Sequence, residues 1–163
     1  MAKHLAIWDV VHKNKGGKVL NEFTKSNFLT NLGEKLVLLC LFRAEQVPDF
    51  FSLGLFYGTL TEESTLIQVP NEPFGNGYSR QQLLRQASDF PSILLDEDGD
   101  YILYSKTLTI TASGGTIGPV NGAFLVVTDT DDVETMIAVM SMPTTMTIQD
   151  AETLTFTIKI KAM

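Results

Sequence analysis

The sequence predicts a mainly β chain: an antiparallel β-sandwich with one short buried helix and an extended N-terminal arm. Three observations carry that reading. Thr153–Lys161 places Leu154, Phe156, Ile158 and Ile160 on one side and Thr155, Thr157, Lys159 and Lys161 on the other, the alternation of a half-buried strand. Turn-rich segments recur about every 8–12 residues, as in a sandwich. The seven-residue apolar run Leu36–Phe42 falls far short of the roughly 20 residues that cross a membrane, and its flanks carry helix signals. The 163 residues suit one domain, and an apolar content of 44% is enough for a packed core.

In chain order, residues 1–25 read as the arm and 26–163 as the sandwich body. His4–Val11 is apolar and partly β-branched, hence extended. Asn14–Lys18 contains Gly16 and Gly17 and reads as a flexible joint. Val19–Phe23 is extended again. The helix follows, over Leu32–Ala44: Thr30 or Asn31 caps it, Glu34 lies in the first turn, Arg43 in the last, and Pro48 lies beyond. A helix apolar on all sides is expected to be covered on most of them.

In Phe51–Tyr57, Phe51, Leu53, Leu55 and Tyr57 alternate with Ser52 and Gly54, predicting a strand with one face buried. Gly58–Ser64 is a polar loop, Leu66–Val69 a short apolar piece, and Asn71–Gly77 a dense turn. Tyr78–Leu84 is a strand. Asp96–Asp100 turns between Ile93–Leu95 and a strand over Tyr101–Thr111, in which Lys106 breaks the alternation. Ala112–Gly122 is a glycine-rich bend. Ala123–Thr128 and Met136–Met142 are apolar strands joined by the acidic turn Asp129–Glu134. The total is seven or eight strands.

Charge is unevenly spread. The net charge is −7, which argues against a general nucleic-acid-binding surface. Residues 1–25 hold five lysines against Asp9 and Glu22, a balance of +3. The remaining 7 basic and 17 acidic residues leave the body at −10. A basic arm on an acidic body is a docking pattern. The arm also carries Leu5, Ile7, Trp8, Val10, Val11, Val19, Leu20 and Phe23, more apolar surface than a free tail exposes. Its expected partner-binding residues are Leu5, Ile7, Trp8, Val10, Lys13, Lys15 and Lys18. Residues 1–20 lack the continuous apolar region of a signal peptide, so cytoplasmic synthesis is expected.

Catalysis needs convergent groups, and the sequence offers none that outweighs a structural role. His4 and His12 both lie in the arm. Cys40, the single cysteine, sits in the apolar run and reads as a small core residue. Asp96, Asp98 and Asp100 open like a calcium loop, but Gly99 stands fourth rather than sixth and Thr107 occupies the twelfth position. A plain acidic turn is the better reading there and at Asp129–Glu134. Gly114, Gly115 and Gly118 are followed by no Lys-Ser or Lys-Thr, so they form no phosphate loop. Arg80 reads as an ion-pair residue, and Met136, Met140, Met142 and Met146 as core or contact filler. No enzyme activity, metal or cofactor is expected.

Several segments together resemble small virion proteins of tailed bacteriophages: Trp8-Asp9 with Asn27–Phe42; Phe51–Tyr57 with Glu72-Pro73 and Gly77–Gln81; and Gly114–Phe124. The family includes capsid decoration (cement) proteins and tail-fibre or baseplate components. The resemblance implies a virion structural protein made in the host cytoplasm. Its first implied role is binding the outer surface of the major capsid protein shell as a homo-oligomer, a trimer being expected. The alternative is a tail-fibre, baseplate or adsorption component. Neither implies nucleic-acid or membrane binding.

Overall fold

A computed structural model describes residues Ala6–Lys161. Alternating and apolar segments dominate the sequence, and they pair into two antiparallel sheets packed face to face. The chain runs β1 (Ala6–Lys13), β2 (Val19–Ser26), β3 (Phe28–Leu29), α1 (Asn31–Arg43), β4 (Pro48–Phe56), β5 (Gln81–Leu84), β6 (Ser92–Leu95), β7 (Tyr101–Tyr104), β8 (Leu108–Thr111), β9 (Ile117–Asp129), β10 (Glu134–Ile148) and β11 (Thr153–Lys161). A 3-10 turn, Leu66–Gln68, lies between β4 and β5. One sheet has the order β2-β1-β11-β7-β6, with β8 also pairing β11. The other has the order β3-β10-β9-β4-β5.

Strand β11 has the register its alternation predicts: Leu154, Phe156 and Ile158 are buried. It pairs β1 along its length, then β8 and β7 in succession on its other side. The break at Lys106 separates β7 from β8. There the Ser105 backbone N–H donates to the Ile158 carbonyl (2.8 Å), and the Ile158 N–H donates to the Ser105 hydroxyl (2.9 Å). The side chain of Lys106 turns away to Asp89, at 2.7 Å.

The separate arm expected over residues 1–25 is not what the described part of that segment forms. Residues 6–26 make the β1–β2 hairpin, with β1 inside the sheet between β2 and β11. Trp8 and Val10 face the main core, where Trp8 meets Phe156 edge-on with ring centroids 6.3 Å apart. The alternating burial of Ala6–Lys13 is that of a core strand. Of the lysines that suggested a free arm, Lys13 ends β1, Lys15 and Lys18 lie in the hairpin turn and Lys25 is on the edge strand β2, while Lys3 lies outside the described residues.

Strand β4 also differs from expectation, because both of its faces are covered. Leu53 and Leu55 enter the core between the sheets. Phe56 joins Phe124, Val126, Met136 and Val139 in a second cluster on the opposite face of β4, β9 and β10. The segment after β4 covers that face with Leu60, Leu66 and Val69. Gly54 looked like an outward polar position; it is where the Phe124 ring lies, and a Cβ there would collide with it.

Candidate attachment surfaces

The capping residues fix helix α1. The Thr30 hydroxyl accepts the Gly33 N–H (2.9 Å) and donates to the Met136 carbonyl (2.6 Å), tying the helix start to β10. Gly33 lets the helix approach so closely that a Cβ would strike the Ile137 carbonyl. Ala44 ends the helix in the left-handed region, at φ 53°.

Burial within α1 corrects the expectation of all-round cover. Gly33 and Leu36 are its buried residues, and Cys40 is half-buried rather than a core residue. Leu38, Leu41 and Phe42 are 60, 71 and 79% exposed. Their spacing of three and four residues puts them on one face. Lys35 lies one turn before Leu38, and beyond Phe42 the charges of Arg43 and Glu45 pair with each other at 2.6 Å. The helix therefore presents an apolar ridge of Leu38, Leu41 and Phe42 to solvent, a feature that marks interaction sites.

The residues expected to carry attachment are spread over different environments. Trp8 and Val10 are buried in the chain's own core, so they cannot anchor a partner while the sandwich is folded. Ile7 and Lys13 are half-buried on β1, and Lys15 and Lys18 are exposed at the β1–β2 turn. Leu5 and His4 lie outside the described residues. His12 is buried against Glu152, Nε2 to carboxylate 2.9 Å.

Arg80 holds a second surface in place. Its guanidinium makes two 2.8 Å bonds to the Glu72 carboxylate and lies 5.0 Å from the centre of the Phe124 ring. The Tyr78 hydroxyl donates to Glu72 (2.9 Å) and accepts the Leu55 N–H (2.9 Å). Bonding to Glu72 raises the Arg80 pKa, and burial raises that of Tyr78. This network pins Asn71–Gly77 beside a shallow cleft of about 650 Å³, lined in part by Tyr57, Asn71, Asn76 and Pro119, with Phe74 almost fully exposed at its rim.

The acidic turn Asp96–Asp100 is filled by a cation from the chain itself. Lys161 Nζ lies 2.8 Å from Asp96 and 2.8 Å from Asp100. Hydrogen bonds to Asp100 and Asp96 raise the lysine pKa, and the bond from Lys161 lowers that of Asp96. In the other acidic turn, Asp129 accepts the N–H groups of Asp131 and Val133, each at 2.9 Å. Among the described residues no group of three or more histidines, cysteines or acids is arranged to hold a metal ion.

The Leu36–Phe42 run is plain in the sequence, but which of its residues face out is not. The signal that separates them is Gly33 with Leu36, the small and apolar residues on the side that touches β10. No family model, curated protein or solved structure gave a significant match to the chain.

Proposed function

We propose that this chain is a capsid decoration protein of a tailed phage, attached to the outer surface of the major capsid protein shell. The observation that carries the reading is the ridge of Leu38, Leu41 and Phe42, held out on a capped helix. A rigid sandwich that presents an apolar helix face suits helix-in-groove docking, with i, i+3 and i+4 anchors. The motif resemblance supplies the setting. Phe42 is the expected hot spot, since aromatic anchors dominate interface energy. Many copies on one particle reinforce one another through avidity.

The test is co-sedimentation with shells lacking the protein. The wild type pellets with them. The double variant Leu41→Asp, Phe42→Asp keeps its melting transition, because both side chains are exposed, and stays in the supernatant. Pelleting of that variant at wild-type levels would remove α1 from the attachment. A second reading, an adsorption or tail component, is favoured by exposed Phe74 beside the Tyr57 cleft. Phe74→Ala would impair host binding and leave shell binding intact.

A further inference from the structure

Strand β6 is an edge, paired with β7 on one side only. Its three aliphatic residues, Ile93, Leu94 and Leu95, are 64, 55 and 59% exposed, although they point alternately to both faces. No charge lies between Ser92 and Leu95. The opposite edge of the same sheet is guarded: β2 carries Glu22 and Lys25, both exposed, the usual protection against edge-to-edge pairing. An unguarded apolar edge beside a guarded one is the signature of a strand that receives a partner.

We propose that β6 pairs with β6 of a second copy, antiparallel about a two-fold axis centred on Leu94. Charge and geometry select this occupant and register. A parallel pair would set the two Asp96–Asp100 turns side by side. The antiparallel pair moves the two Asp96 residues four positions apart, about 14 Å along the strands, beyond the roughly 8 Å screening length of physiological salt. A two-fold axis normal to the sheet pairs residues whose numbers sum to an even value, because opposed residues share a face. Centring on Ile93 would set Leu95 against Pro91, which has no N–H to donate. Centring on Leu94 sets Leu94 against Leu94 of the copy on one face, and Ile93 against its Leu95 on the other. Each aliphatic side chain then has an aliphatic partner. The contact is self-complementary, as a two-fold interface must be. It makes pairs, where the sequence led us to expect a trimer, and it stands independently of the shell reading.

Two measurements on the full chain test this. Sedimentation equilibrium at tens of micromolar should give twice the 18.0 kDa chain mass, and Leu94→Lys should give the chain mass with an unchanged far-UV spectrum. In a Cys40→Ser background, Leu94→Cys should oxidise to a disulfide-linked dimer, since directly opposed Cα atoms lie about 4.5–5.5 Å apart, within disulfide range. Ile93→Cys should not, its two copies being about 8 Å apart. A monomeric or trimeric wild type would overturn the proposal, as would cross-linking at position 93 that matches position 94.

Discussion

Replacing Trp8 by alanine separates a core strand from a docking arm. Trp8 is fully buried, pairs with Ile158 of β11 and Lys25 of β2, and stacks edge-on with Phe156. Removing a buried aromatic side chain costs about 3–5 kcal/mol. Part of that is offset here, because the indole Nε1–H is buried with no hydrogen-bond acceptor, a burden of about 1–3 kcal/mol. Trp8→Ala should therefore cost about 2 kcal/mol, against a total of about 5–15 kcal/mol for a domain. Trp8→Phe keeps an aromatic ring against Phe156 and removes the unsatisfied donor, so it should change stability by less than about 1 kcal/mol. Urea unfolding followed by far-UV circular dichroism measures both, with the midpoint shifting and the slope unchanged. The method does not depend on tryptophan fluorescence, which the variants lose with the single tryptophan. A cost below about 1 kcal/mol for Trp8→Ala would refute the placement of β1 in the core.

Phe156→Ala should cost about 3–5 kcal/mol and Thr157→Ala under about 1 kcal/mol in the same assay; equal costs would put the β11 register off by one. Gly54→Ala should destabilise by about 1–3 kcal/mol, because the new Cβ meets the Phe124 ring, and Phe124→Leu should rescue part of the loss. Lys161 lowers the Asp96 pKa and Lys106 that of Asp89. The stability these carboxylates contribute is present above the ordinary aspartate value of about 3.9 and is lost as pH falls through their lower folded values. Thermal melts in acid should therefore fall less steeply for the Asp89→Asn, Asp96→Asn variant than for the wild type.

The parts of the fold legible in the sequence were those fixed locally. Thr153–Lys161 alternates because one face is core and the other is not, and its register follows directly. Thr30, Glu34 and Arg43 bounded α1 to within a residue because caps act on adjacent backbone groups. Burial that depends on distant chain was not legible. Gly54 looks like an outward polar position until Phe124 arrives from β9. The lysines of residues 1–25 gave the look of a solvated arm, yet Lys13, Lys15, Lys18 and Lys25 lie at or beside the turn and on the outer strand of a hairpin whose inner strand buries Trp8. The exposed ridge of Leu38, Leu41 and Phe42 was hidden in a uniform apolar run, where composition cannot say which side β10 covers.

The number of copies of this chain per purified particle bears most directly on the proposed function. Quantitative mass spectrometry against the major capsid protein gives that ratio. Decoration of the shell predicts hundreds of copies in fixed proportion to the capsid protein. A handful of copies per particle, or none, would contradict attachment to the shell.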